Sequence, residues 1–543
     1  MKTETTTESV RVIRNPVLKG FNPDPSILRV EKDYYIATST FEWFPGVQIH
    51  HSRDLANWRL VGRPLDRRSQ LDMLGNPDSG GVWAPCLSHC DGVFHLIYSN
   101  VRQWKGDPYK IVDNYLVTAE SIEGPWSEPV YLNSSGFDPS LFHDEDGRKW
   151  LVSMEWDHRN TARDRDRFTG ILLQEYSPGK KMLVGSSRKI FEGTEIGLVE
   201  GPHLYRKNGY YYLLTAEGGT EYAHAVTIAR SRSLKGPYEV HPGNPLLTSK
   251  GGEGLYLQKA GHGSLVETPG GEWYLAHLCG RPVDGKHCIL GRETALQKCL
   301  WKDDDWIYLA NGTNHPEAEV AGPMDGESFT GAEEHWNGEF DTELLDLHFQ
   351  SLRQPVTEEW LSLTERPGWL RLRGFEPTVS LFRQSLIARR VQGFSSEVTT
   401  LLDFNPASFH QMAGLIAYYD TENHYYLRVS CGNNSCRNLD IISTVAGPSG
   451  ELLKDSILLP KDMPVHLRAR MCVASLQFAY SLNGEDWEDV GPELDSTILS
   501  DDFNHLGFTG AFFGICAQDM VRSGMPADFK FFKYRELSDP NSK

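Results

Sequence analysis

Over roughly residues 15 to 320, short runs alternating apolar and polar side chains are separated by turn-forming residues at nearly even intervals. KDYYIATS, CDGVFHLIYS, EDGRKWLVSM, KNGYYYLLTA and PGGEWYLAHL are five such runs, each rich in aromatic or β-branched residues and most opening on an Asp, Asn or Gly turn. Alternation with a period of two, bounded by turn residues, predicts strands and hairpins. Each run follows a polar residue, a Pro or Gly and a short apolar strand: Asp24-Pro-Ser-Ile, Ala84-Pro-Cys-Leu, Asp138-Pro-Ser-Leu, Glu200-Gly-Pro-His-Leu and His262-Gly-Ser-Leu. The copies recur every 54 to 62 residues. That period suits one propeller blade with insertions. HSRDLANWRLVG, TAESIEGPWSEPV and ARSRSLKGPYEV read as outer strands, so a five-bladed propeller is predicted for residues 1–325.

The repeat predicts where special residues converge. Inner strands of a propeller surround its axis, so Asp24, Asp138, Glu200 and His262, read as equivalent positions, meet at one mouth of the channel. Pro23 and Pro25 flank Asp24 and are expected to hold it stiffly in extended backbone. Acids at turns also serve merely to accept backbone N–H bonds. Here, however, the copies differ in type, with Trp83-Ala84 in the second and His262 in the fifth, which favours a site over a uniform structural device. Three carboxylates in one funnel suit glycoside hydrolysis, which needs one protonated and one ionised carboxyl, with a third charge able to separate their pKa values. Phe41, Trp43, Phe44, Trp83, Trp104 and Trp156 could stack on sugar faces or simply fill a core.

Residues 326–543 follow a different pattern. Stretches such as HYYLRVSCG, VHLRARMC and LQFAYSLNGEDWEDVG predict antiparallel strands of a β-sandwich. The whole is therefore expected to be all-β. A formal charge of −19 with no basic run argues against nucleic acid and anionic membrane as partners and leaves neutral sugars open. Nine scattered cysteines without paired spacing predict reduced thiols. No apolar run reaches a membrane span, and MKTETTTESVRV lacks a signal-peptide pattern, so a cytoplasmic, soluble protein is expected.

FNPDPSI, SGGVWAPCLS, GFDPSLFHDEDGRKWLV, EGPHLYRKNGYYYLLTAEGG, QKAGHGSLVET and LGRETALQ, in this order, resemble the β-xylosidases of glycoside hydrolase family 43. The resemblance implies an inverting, exo-acting hydrolase releasing xylose from the non-reducing end of xylo-oligosaccharides. By motif, Asp24 resembles the general base, Glu200 the general acid and Asp138 the residue that orients the acid and raises its pKa. Arg292 resembles the guanidinium that grips the terminal sugar. His262 lies at the axis, where some members hold calcium through waters and others work without metal, so no cofactor is required by the motifs. Trp83, Phe41, Trp156 and Thr220 complete the expected sugar contacts. The sandwich resembles the concanavalin-like jelly roll of the same branch, in which a loop leans over the propeller mouth; Phe508 in LGFTGAFFG is the positional match. A homo-oligomer is expected. Cys86 stands where members carry bulkier or polar residues, and the segment from Arg281 to Arg292 looks short. The RDP motif of retaining five-bladed hydrolases is missing at Phe137-Asp138-Pro139. A non-catalytic sugar-binding propeller and a primary α-L-arabinofuranosidase are the alternatives.

Overall fold

The structure, a computed structural model, describes residues 11–537 except 107, 160–166, 328, 332–334 and 433–436. Five antiparallel sheets, four of four strands and one of five, follow one another along the first 309 residues. Their innermost strands are Ser26–Val30, Gly81–Cys90, Ser140–His143, Glu200–Lys207 and Gln258–Glu267. Neighbouring inner strands touch around the axis, the last meeting the first, which closes the ring of the predicted propeller. A further pair, Val12–Arg14 with Glu319–Ala321, joins the start of the chain to the segment after the fifth blade.

Turn chemistry sets the hairpin registers. Cys90 pairs Val93 and Lys207 pairs Tyr210, leaving two-residue loops Asp91-Gly92 and Asn208-Gly209. All four loop residues have positive φ, the conformation that matches the right-handed twist of the flanking strands. A second recurring feature lies where the inner strands begin: Asp24, Ala84, Asp138, Gly201 and His262 all have φ between 29° and 56°. This corrects two expectations. Asp24, at φ 53°, occupies the left-handed region although Pro25 follows it. Glu200 is not equivalent to Asp24 and Asp138; Gly201 is, and Glu200 sits one position earlier, where the second and third blades have Trp83 and Phe137. Non-glycine residues at such angles cost about 1–3 kcal/mol each, so four of them in a ring mark a place where strain is tolerated for side-chain placement.

The sandwich has one sheet containing Ser395–Asp403, Val465–Cys472 and Pro526–Glu536 and another containing Ser385–Arg390, Gln411–Tyr418, His424–Cys431 and Phe512–Asp519. Inward residues of both sheets form one apolar cluster. The second sheet ends on a strand it does not own: Trp43–Phe44 from the first blade pairs with Gln350–Leu352. Trp43 stacks on Phe512 at 3.8 Å between centroids and is fully buried, as is Phe44. Neither ring is available to a sugar. A cluster including Phe21, Trp43, Leu352 and Phe512 crosses the boundary between propeller and sandwich. Removing such a ring costs about 3–5 kcal/mol. The eight described cysteines are free thiols, and Cys436 lies outside the described residues.

Candidate active site

A cavity of about 330 Å3 opens at the end of the channel where the inner strands begin. The kinked positions Asp24, Asp138 and His262 line it, and so do the preceding residues Trp83, Phe137 and Glu200. Arg292, Thr220, Phe41, Trp156, Trp104 and Phe508 complete the expected set. Gly201 suits this place: a Cβ would lie 3.1 Å from His262 Cε1, and its φ is +56°. Cys86 faces another cavity, with Ser26, His203 and Tyr205, and does not reach this one.

Asp24 is buried and held from three sides. Ser39 Oγ donates to its Oδ2 at 2.6 Å, Arg292 Nη1 to its Oδ1 at 3.3 Å, and His262 Nδ1 lies 3.9 Å from the same oxygen. Burial alone pushes the carboxyl up, but Arg292, His262 and Ser39 together hold it below the usual aspartate range. Glu200, half-buried in the wall, is pushed the other way, to about 8, by burial and then by the Asp24 charge. Asp138 is raised well above its ordinary value by burial, Glu200 and Asp24, although Gly201 N donates to its Oδ2 at 3.1 Å. Like charges this close are not both ionised, so one of the two carboxyls keeps a proton. The N–H bond favours charge on Asp138 and leaves the proton with Glu200. Asp24 is the largest of the charges that raise Glu200, and the coupling of Glu200 with Asp138 shows in the rise of Asp138.

Arg292 links the acids to the sandwich. Its Nη1 also donates to Thr220 Oγ1 at 2.7 Å and its Nη2 to the Phe508 carbonyl at 3.2 Å. The Phe508 ring packs against Trp104, Trp83 and Phe41 at 4.8, 5.4 and 5.6 Å, and its N–H donates to Ser79 Oγ at 2.9 Å. Ser79 N–H in turn donates to Glu42, buried beside the Asp78–Arg353 ion pair of 2.6 Å. The sandwich loop is therefore fastened over the mouth through polar groups of both halves.

Several lining residues escape sequence reading. Lys110 Nζ lies 4.3 Å from the Trp156 ring centroid and its charge opposes the rise of Glu200. Leu506, Phe168 and His224 also line the cavity. His224 is buried, has no hydrogen-bond partner at either ring nitrogen among the described residues, and is pushed down to about 3 by burial, His262 and Arg292. Gly261 admits it, since a Cβ there would stand 1.9 Å from His224 Cδ2. No repeated motif flags these positions, because Lys110, Phe168 and His224 lie outside the inner strands of the blades and Leu506 comes from a loop of the sandwich.

Among the described residues one carboxylate, Asp24, is in contact with His262, and its oxygens already accept from Arg292 and Ser39. Calcium takes six to eight oxygen ligands, so this donor set does not fit a directly bound ion. Among the described residues one His/Cys/Asp/Glu group has metal-like spacing, Cys288 with Asp501 and Asp502, and Lys259 Nζ already sits 2.7 Å from Asp502 and 3.3 Å from Asp501.

A five-bladed propeller whose axial cavity brings together one carboxyl held ionised and another held protonated, among aromatic rings, has the architecture of a glycoside hydrolase. The chain belongs to glycosyl hydrolases family 43: the family description of that name matches residues 13–307, and the β-xylosidase C-terminal concanavalin A-like domain matches 337–535. It is 51% identical over 542 residues to xylosidase/arabinosidase 43B of Humicola insolens, covering 98% of this chain and 99% of that one. It is 51% identical over 536 residues to a β-xylosidase of Bacillus subtilis (strain 168), covering 96% and 99%. The crystal structure of a xylan β-1,4-xylosidase from Bacillus halodurans C-125 superposes with a TM-score of 0.94 at 56% identity, covering 96% of this chain and all of that one.

Proposed function

We propose that this protein is an inverting, exo-acting β-xylosidase that removes xylose from the non-reducing end of short β-1,4-xylo-oligosaccharides. The opposed electrostatics of Asp24 and Glu200 in one cavity carry the reading. Glu200, protonated below about pH 8, gives its proton to the glycosidic oxygen as the C1–O bond breaks. Asp24, ionised, takes a proton from the water that attacks C1 from the opposite face. Asp138, fixed by the bond from Gly201 N, keeps Glu200 aimed and carries the charge that leaves the proton on it. Arg292 holds Asp24 ionised, and its Nε, which has no partner among the described residues, is available to a sugar hydroxyl.

The Phe508 cap supports exo-action. A cavity of about 330 Å3 is at the small end of ligand pockets, about 300–1,000 Å3, and closure by the sandwich loop favours chain ends over a threaded polymer. Hydrolysis of xylobiose followed by NMR is the test: α-xylose as the first-formed anomer fits the assignment, and β-xylose overturns it. Arabinofuranosidase side activity is a second reading, favoured by the relative named xylosidase/arabinosidase, and a panel of p-nitrophenyl glycosides measures it. The acid–base pair needs no metal, since Arg292 supplies the positive charge beside Asp24; turnover unchanged by EDTA is expected, and loss restored by calcium refutes this.

A further inference from the structure

A second cavity, of about 360 Å3, lies between the first blade and the sandwich and shares no lining residue with the sugar cavity. Beside the exposed Arg14, which pairs with Glu319, three arginines line it: Arg63 from the first blade, and Arg389 and Arg390 from the sandwich strand Ser385–Arg390. These three are buried, with 8%, 2% and 6% of their surface exposed. Each uses part of its guanidinium on neutral oxygens. Arg63 Nη2 and Arg390 Nη1 donate to Gln48 Oε1 at 2.9 and 2.5 Å, Arg390 Nε to the Phe21 carbonyl at 2.6 Å, and Arg389 Nη2 to Gln392 Oε1 at 2.7 Å. Nε and Nη1 of Arg63, Nε and Nη1 of Arg389 and Nη2 of Arg390 have no partner among the described residues. None of the three makes an ion pair there. Glu536, which also lines the cavity, pairs with Lys19 at 3.5 Å, and Asp346 pairs with His348 at 2.7 Å, so each nearby acid has its own cationic or imidazole partner.

We propose that this cavity binds a small multivalent oxyanion of the phosphate or sulfate type, bridging the propeller and the sandwich. Buried cations persist when paired, and planar guanidinium forks match tetrahedral oxyanions through paired N–H bonds. Rings at 4.1 Å from Arg389 and 5.2 Å from Arg390 ease the charge, but a ring face cannot satisfy several in-plane N–H groups. Burial without a contacting carboxylate pushes Arg63 down to about 9, and burial with Arg63 and Arg389 as neighbours pushes Arg390 well below its usual value. A dianion reverses both effects. The cavity leaves space beside one phosphate group, so inorganic phosphate and a phosphate monoester are both chemically suitable. Occupancy would tie Arg63 and Gln48 to Arg389 and Arg390. Gln48 also donates to Asn22, two residues before Asp24, at 2.8 Å.

The test uses the full chain in phosphate-free buffer. Thermal unfolding is followed with inorganic phosphate, a sugar phosphate monoester, or sodium chloride at matched ionic strength. A saturable rise in Tm with phosphate and none with chloride is expected; a response to the monoester as well identifies phosphate esters as a ligand source. Arg63→Gln and Arg389→Gln should each raise the half-saturating concentration at least about tenfold, the loss of a charge-assisted bond. Should these variants not fold, crystals of the unaltered protein soaked in selenate decide, with an anomalous peak expected between Arg63, Arg389 and Arg390. Equal responses to chloride and phosphate, an unchanged midpoint in folded variants, or no selenium at the three arginines overturns the proposal.

Discussion

Replacing Arg292 by Gln tests how the base is kept charged. Asp24 is buried, and burial is the largest influence on it and acts to raise its pKa; Arg292 is the largest of those that lower it. The substitution removes the guanidinium 3.3 Å from Asp24 Oδ1 and leaves His262, itself held down by burial, and Ser39. A hydrogen bond to a charged group is worth about 1.5–3 kcal/mol, which is about a ten- to hundredfold change in the balance between protonated and ionised carboxyl. With burial then opposed mainly by Ser39 and His262, Asp24 holds its proton to higher pH. The acid limb of kcat/KM, set by the free enzyme's base, therefore moves toward neutral pH, and the profile narrows from its acid side. The assay is kcat/KM for p-nitrophenyl xyloside across the pH range in both proteins, with sugar affinity from inhibition by xylose measured separately. A lower kcat/KM with an unmoved acid limb would show that Arg292 only binds sugar, and would refute its role in keeping Asp24 ionised.

Asp24→Asn should retain xylose binding while lowering kcat at least about a hundredfold, the lower end for general-base catalysis; near-normal kcat contradicts the assignment. Glu200→Ala should abolish xylobiose hydrolysis but slow p-nitrophenyl xyloside far less, because that leaving group departs with little protonation, and equal losses would make Glu200 a binding residue. In the unaltered enzyme the alkaline limb should fall near pH 8, where Glu200 loses its proton. Asp138→Asn removes a like charge, so ionised Glu200 becomes easier to form and that limb should move down in pH; an unmoved or raised limb shows that Asp138 is not the charged partner.

Much of the fold can be read from the sequence because it is local. Alternation and two-residue turns such as Asp91-Gly92 specify each hairpin, and five copies specify a ring. The acids were legible because they interrupt a repeat at its strand starts. Their register was less so: aligning the prolines instead of the acids places Gly201 opposite Asp24 and Asp138 and leaves Glu200 one step earlier, a signal present in EGPHL. Trp43 could not be placed, since its partner Phe512 is hundreds of residues away and an aromatic residue looks alike in a core and in a sugar platform. Lys110, His224 and the three buried arginines depend on loops and on the interface between the halves, where spacing along the chain carries no information.

The two-residue strand that the first blade lends to the sandwich also constrains the order of events on the ribosome. Trp43 and Phe44 emerge early, yet the edge they pair with, Gln350–Leu352, and the ring that covers Trp43, Phe512, are made much later. Val12–Arg14 likewise waits for Glu319–Ala321 before the ring is latched. A nascent chain bearing all five blades therefore still carries an uncovered tryptophan and an open strand edge, the features that make partly folded chains stick to one another. The longer the sandwich takes to be made, the longer that surface stays uncovered.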